Sequence, residues 1–311
     1  MECGNRSQLS HFILVGLPYP PALRVPLFLF FLLIYLLTLC GNLLVLLAVV
    51  LDGRLHKPMY WFLCHLSFID VAVSSVVVPK VVATFLPGGG DISFQGCAAQ
   101  LFSFHFLGCT ECLLYTVMAY DRFLAICKPL RYSVIMNRRA CLCLAAGTWL
   151  GGSIHSTIQT FHTFHLTYGR GTRVGSIFCD IPAMLKLACG DTAFNEQVTF
   201  VDIGFRAIIC FLLILTSYVY ITSAILRIRS AEGRRRAFST CAAHVAVLVT
   251  YYVPLVFIYL RPGSQHPLDS VVAVFYTTVT PFLNPLIYTL RNQEMKAALM
   301  KLAGKQEAAR T

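Results

Sequence analysis

Seven long apolar runs follow one another along the chain, near residues 25–51, 58–83, 98–127, 140–161, 198–226, 238–260 and 269–290, separated by short polar segments. Each reaches the ~20 predominantly apolar residues that a helix needs to cross a bilayer. The pattern predicts an all-α membrane protein, a seven-transmembrane helix bundle. His105, Glu111 and Asp121 interrupt the third run, and Asp202 and Arg206 the fifth, so hydropathy marks those two spans least clearly. After the seventh run Met295, Leu299 and Leu302 recur at helical spacing with Lys296 and Lys301 beside them. This predicts a short helix lying in the membrane interface, with a frayed basic tail as the plainer alternative. No internal repeat is visible, and the chain reads as one domain: a leading segment 1–24, the seven spans, and a tail 291–311.

Composition agrees with lipid as the main solvent. Of 311 residues, 57% are hydrophobic and only 13% charged, more apolar surface than one soluble core of this length buries. The formal net charge of +11 sits in short clusters between apolar runs. Anionic membrane lipid, and no nucleic acid, is the partner this implies. With the N-terminus outside, sixteen basic residues fall in the inner segments (Arg54 and Lys57; Lys128, Arg131, Arg138 and Arg139; Arg227, Arg229, Arg234, Arg235 and Arg236; Arg291, Lys296, Lys301, Lys305 and Arg310). Seven fall outside: Arg6, Arg24, Lys80, Arg170, Arg173, Lys186 and Arg261. That asymmetry places the C-terminus in the cytoplasm, and the sequon Asn5-Arg6-Ser7 agrees, since glycosylation at Asn5 is lumenal. No cleavable signal peptide is expected in residues 1–23.

Polar groups inside apolar runs are costly and therefore informative. Asp70, Glu111 and Asn284 are such groups. Asp121-Arg122 stands where the third span meets the cytoplasm, within Met118-Ala119-Tyr120-Asp121-Arg122-Phe123. Unpaired, charges there are expensive; a snorkelling pair that merely anchors the helix is the plain reading. In the seventh span Asn284-Pro285-Leu286-Ile287-Tyr288 contains a proline that opens the helical ladder and bends the helix. Asp202 and Arg206, four apart, share a helical face and are read first as a structural pair. Phe104, His105, Gly108, Cys109 and Cys112 share one face of the third span. Cys3, Cys97, Cys179 and Cys189 fall in loops or at helix ends and allow three pairings.

Beside Met118 to Cys127, four ordered strings carry a family resemblance: Leu55-His56-Lys57-Pro58-Met59-Tyr60; Ser217-Tyr218; Arg236-Ala237-Phe238-Ser239-Thr240-Cys241-Ala242-Ala243-His244; and Pro281-Phe282-Leu283-Asn284-Pro285-Leu286-Ile287-Tyr288-Thr289-Leu290-Arg291-Asn292. With Gly41-Asn42 and Leu66-Ser67, they resemble rhodopsin-class G-protein-coupled receptors and, in their fuller form, olfactory receptors, over nearly the whole chain. The resemblance implies a plasma-membrane odorant receptor that binds a small volatile molecule and activates an olfactory stimulatory G protein, raising cyclic AMP. It implies that Asp121 restrains Arg122 at rest and that Tyr218, Asn284, Pro285 and Tyr288 belong to the switch. It places the ligand against Phe104, His105, Gly108, Cys109 and Cys112, with Val256 and Tyr259 of the sixth span and Tyr276, Thr277 and Thr280 of the seventh. Asp202 and Arg206 could meet a polar odorant group. It suggests a sodium ion or a shared proton among Asp70, Glu111 and Asn284, for which a satisfied polar network is the alternative. It staples Cys97 to the long loop, through Cys179 or Cys189. Gly169 stands where the family usually carries another loop cysteine, so a second loop disulfide is not implied.

Other classes fit less well. Cys109-Thr110-Glu111-Cys112 has metal-pair spacing, but no second pair completes a metal site. The seventh span has no lysine for a retinal Schiff base. A transporter should show related halves. No HExxH, GxSxG or phosphate-cradling glycine loop supports an enzyme. An amine receptor would carry an aspartate where Phe104 and His105 stand. A chemosensory receptor of the same class acting outside the nose is the nearest competitor.

Overall fold

The computed structural model describes residues 10–169, 172–260 and 268–308. Asn5, Cys3, Arg6, Arg170, Arg261 and Arg310 lie outside the described residues. In chain order the elements are β1 (His11–Leu14), α1 (Arg24–Leu51), α2 (Pro58–Thr84), β2 (Asp91–Ser93), α3 (Phe94–Cys127), α4 (Tyr132–Ile135), α5 (Arg138–Phe164), β3 (Arg173–Val174), α6 (Ile181–Leu187), α7 (Ala193–Leu226), α8 (Ala231–Tyr259), α9 (Asp269–Val274), α10 (Thr280–Arg291) and α11 (Gln293–Ala308). The seven crossings are α1, α2, α3, α5, α7, α8 and the α9–α10 pair, which a π-helical turn at Phe275–Val279 joins.

Local chemistry sets the starts. Pro58 occupies the first turn of α2, where a missing N–H costs nothing. Ser93, Asn137 and Ser230 cap α3, α5 and α8 by accepting from the backbone N–H of Gly96, Ala140 and Gly233, which satisfies an otherwise orphaned donor. These caps lengthen the helices beyond the apolar runs: the third span starts at Phe94 and the sixth at Ala231.

The apolar faces are turned outward. α1 buries Phe31, Val45, Ala48 and Val49 while Leu29, Leu33, Leu36, Leu43 and Leu47 are exposed, the arrangement of a helix with lipid on one side. Among the described residues five helices are long and apolar enough to cross a membrane unaided: 21–51, 58–84, 94–127, 193–226 and 269–289. The third and fifth spans are among them. Hydropathy is weak at the fourth and sixth instead. α5 is rich in Gly, Ser, Thr and His, and α8 begins on an arginine cluster, leaving His244–Tyr259 as its apolar part.

The long, central α3 packs on α2, α5 and α7, and small residues allow close approach. At Gly152 a Cβ would lie 2.1 Å from Thr110 Oγ1 and 2.7 Å from the Phe106 carbonyl. Gly152→Ala therefore forces α5 off α3, with an expected loss of about 1–3 kcal/mol. Thermal unfolding of the detergent-solubilised protein measures it; an unchanged midpoint would refute the close approach. At Gly41 a Cβ would come within 3.2 Å of Pro285 Cγ, so the Gly41-Asn42 pair of the first span is where α1 meets α10.

At one end of the bundle β1 pairs antiparallel with β2 and parallel with β3. Phe12 is fully buried there, its ring 5.9 Å from that of Phe94 and 5.5 Å from that of Tyr168. The long loop between the fourth and fifth crossings folds over this end, with Ile177, Phe178 and Cys179 inaccessible.

At the other end α11 buries Met295 and Ala298 against the bundle. Asn292 Oδ1 accepts from the backbone N–H groups of Glu294 and Met295. Lys57 Nζ donates to both oxygens of Glu294 at 2.8 and 2.9 Å, and Tyr60 OH donates to Glu294 at 2.8 Å. The Lys57 ammonium holds the Glu294 carboxyl below its usual range. The Asp52 carboxyl is likewise lowered by the Arg54 guanidinium.

Candidate functional site

A cavity of about 80 Å³ lies under the folded loop, between α3, α5, α7, α8 and the seventh crossing. The face of α3 that carries Phe104, His105, Gly108, Cys109 and Cys112 lines it, with Arg206, Tyr259 and Tyr276. Its other walls were not read from the sequence: Val73, His155, Ile203, Ala207, Tyr251 and Leu255.

Four expected residues lie elsewhere; one is Asp202, which bonds Arg206 without lining the cavity. Val256 is 49% exposed and faces away from the cavity, because the inward row of α8 is Tyr251, Leu255 and Tyr259, at helical spacing of four. Thr277 and Thr280 are buried but absent from the cavity wall. Thr277 Oγ1 donates to the Ala273 carbonyl at 2.7 Å and Thr280 Oγ1 to that of Thr250 at 3.3 Å. The resemblance, which fixes no helix rotation, placed both against the ligand; the π-helical turn at Phe275–Val279 changes the helical phase in this stretch.

Asp180 roofs the cavity through its bonds to two lining residues, His105 and Tyr259, without itself lining it. Cys97 and Cys179 are disulfide-bonded, which resolves the choice of Cys179 or Cys189 and brings the next residue over the cavity. Asp180 is 5% exposed. Its Oδ1 accepts from Tyr259 OH at 2.8 Å and from the Ile181 backbone N–H at 2.8 Å, and lies 3.1 Å from His105 Nε2. Its Oδ2 lies 2.9 Å from Tyr259 OH. One loop carboxylate thus ties the third crossing to the sixth. The available signal was an acid adjacent to a half-cystine.

Asp202 and Arg206 do pair, Arg206 Nη2 donating to Asp202 Oδ1. Asp202 Oδ2 accepts from Gln159 Nε2 at 2.8 Å and lies 2.6 Å from His155 Nδ1. His155 and Gln159, four apart in the fourth span, were a visible polar face. Arg206 Nη1 also donates to Cys109 Sγ at 3.3 Å. Cys112 Sγ lies 3.4 Å from Tyr252 OH, so the two cysteines of the Cys109–Cys112 stretch have different partners.

Deeper in the bundle Asn284 Nδ2 donates to both oxygens of Asp70 at 2.9 and 3.1 Å. Tyr115 OH donates to Glu111 Oε1 at 2.6 Å. Asn42 Nδ2 donates to the Pro281 carbonyl at 3.1 Å, so Asn42 receives one of the seventh crossing's backbone groups. Asn42 Oδ1, Asn284 Oδ1 and Ser74 Oγ are buried without a partner among the described residues.

At the far end Asp121 and Arg122 are not brought together. Adjacent residues on a helix do not face each other. Asp121 Oδ1 accepts from Tyr132 OH at 2.8 Å, and no Asp121–Arg122 ion pair occurs among the described residues. Arg122 points toward the bundle, with Nε buried and unpartnered, within electrostatic range of Tyr218, His244 and Tyr288. Tyr218 OH hydrogen-bonds His244 Nδ1, linking the fifth and sixth crossings, and Tyr288 is 3% exposed.

Seven crossings, a roofed cavity at one end and an arginine among tyrosines at the other define a seven-helix membrane receptor. The family model described as "Olfactory receptor" matches residues 31–306. The chain belongs to the olfactory receptor family and is a multi-pass plasma-membrane protein. It is similar to human Olfactory receptor 10G6, with 66% identity over 307 residues, covering 99% of this chain and 92% of that protein. It is also similar to human Olfactory receptor 10G7, at 57% identity with 96% of each chain covered. Human Olfactory receptor 10S1 is 54% identical over 97% of this chain and 91% of its own.

Proposed function

We propose that the chain is an odorant receptor that binds small volatile molecules in the roofed cavity and activates an olfactory stimulatory G protein, raising cyclic AMP. The observation that carries the reading is a small cavity between the helices whose wall is mostly apolar surface, at the opposite end of the bundle from Arg122. Such a space favours small, weakly polar ligands. A ligand that binds the active arrangement better than the resting one shifts the population by that difference alone. Tyr259 and His105, joined through Asp180, give ligand contacts a route to the sixth crossing. Pro254 and Pro285 supply bends. In this reading the roofed end is extracellular and Arg122 and α11 are cytoplasmic, as the basic residues favour.

A panel of volatiles applied to cells expressing the receptor with that G protein, read as cyclic AMP, tests it. Gly108→Val is the companion variant, because a Cβ at Gly108 meets nothing within 4 Å. It is expected to reach the surface normally and to lose response to the bulkier active volatiles. A receptor that answers no volatile, or a variant with an unaltered spectrum, refutes the reading.

Asp70 and Asn284 are hydrogen-bonded, Glu111 lies within electrostatic range of Asp70, and Asn284 Oδ1 has no partner among the described residues, a set of oxygens that fits a sodium ion, a hard cation preferring oxygen. These residues would hold it, and its charge would offset that of the carboxylates in the resting receptor. Replacing sodium with N-methylglucamine is then expected to raise agonist potency in the wild type and leave Glu111→Gln unaffected. Equal responses to both media in the wild type would argue against the ion.

A further inference from the structure

A second space lies on the outside of the bundle. α5 and α7 both pack on α3 more than on each other, and between them runs a groove of about 1060 Å³, more than ten times the inner cavity of about 80 Å³. Leu113 and Val117 of α3 form its floor, Leu144 and Gly147 one wall, Val201 and Phe205 the other. Val201 is 56% and Phe205 67% exposed, on spans whose surroundings are acyl chains.

Among the described residues, Arg206 is the one that lines both the groove and the inner cavity. Its Nη1 meets Cys109 Sγ on the cavity side and its Nη2 meets Asp202 on the groove side. The two charged side chains are 25% and 27% exposed, toward hydrocarbon, where charge is costly and marks function. Asp202 does not depend on Arg206 alone, since His155 and Gln159 both reach its Oδ2. Arg206 is therefore able to swing aside without stranding the carboxylate. The roof is a firmer barrier, because Asp180 is bonded to two crossings and anchored by the disulfide beside it.

We propose that the groove between α5 and α7 is a binding site for uncharged apolar molecules dissolved in the bilayer, and that Arg206 is the gate through which they reach the inner cavity. The occupant follows from the continuity of the two spaces through one movable side chain and from a lining whose only charges cancel. Lipophilic ligands concentrate in the membrane, so this path delivers them without disturbing the roof. The inference rests on reading the inner cavity as the ligand cavity.

The test needs no odorant. Full-length receptor in phosphatidylcholine nanodiscs is treated with N-ethylmaleimide, which is uncharged and partitions into lipid, or with the cationic reagent trimethylammonium-ethyl methanethiosulfonate. Modification of Cys109 is followed by peptide mass spectrometry. N-ethylmaleimide is expected to label Cys109 and the cationic reagent not to. Gly147→Trp and Val201→Trp, which fill the groove from facing helices, are expected to slow Cys109 labelling about tenfold, an added barrier of ~1.4 kcal/mol. Labelling of Cys241, at the other end of the bundle, stays unchanged. Gly147 has open space around its Cβ position and Val201 is exposed, so both variants should fold. Should neither reach the membrane, the comparison of reagents on the wild type decides. Unlabelled Cys109, labelling by the cationic reagent, or equal rates in wild type and both variants overturns the proposal. None of these outcomes bears on whether volatiles raise cyclic AMP.

Discussion

Asp180→Ala is expected to lower the unfolding midpoint of the solubilised receptor by roughly 5–10 °C. The carboxylate is the shared partner of Tyr259 OH and His105 Nε2 in a buried site. Truncation removes the acceptor that both groups share, at about 1–3 kcal/mol for each polar group left unpaired. It also removes the cap on the Ile181 N–H. Asp180→Asn keeps an acceptor for Tyr259 and should lose less than half as much. Differential scanning fluorimetry of both variants measures this. An alanine variant that melts with the wild type would show that the roof is held by the disulfide and apolar packing alone. The same variant should raise basal cyclic AMP, because Asp180 holds the sixth crossing to the third.

The second large effect is at the opposite end. Arg122→Ala is expected to reduce the maximal cyclic AMP response by roughly tenfold or more at matched surface expression, within the ~1–3 kcal/mol range of coupling between sites. Arg122 is half-buried, with a nitrogen lacking a partner and three aromatic or imidazole side chains in electrostatic range. It makes no ion pair among the described residues, so its removal should not destabilise the bundle through a lost salt bridge. Normal thermal stability together with lost signalling is the discriminating pattern. If the variant signals with full amplitude and potency, the arginine is an anchor and no switch. Asp121→Asn should behave differently, acting through Tyr132 on the segment that follows α3.

The helices were legible because lipid-facing and buried positions in a membrane are both apolar, so a span shows as a run whatever its rotation. That same property hid the rotation. Val256 was placed inward from its depth alone, whereas the inward row of the sixth crossing is Tyr251, Leu255 and Tyr259. Thr277 and Thr280 came from the resemblance alone, and their hydroxyls bond backbone carbonyls outside the cavity wall. The face of the third span was read correctly because its small and polar residues break the run at spacings of three and four. Asp180 was missed because a loop acid has no pattern until a disulfide fixes where the loop lies. The three-stranded sheet left no trace either, its strands being two to four residues long and contributed by three separate segments.

The order of that sheet constrains when the protein becomes whole. Residues 11–14 leave the ribosome before either strand they pair with, and the second of these partners ends at Val174. Until the fourth crossing has been inserted and the following loop delivered to the same side, the buried Phe12 lacks Tyr168 as a neighbour. Strand β1 therefore waits, paired on one side at most, while the first four crossings are made, a window in which a quality-control machinery meets a half-paired hydrophobic strand.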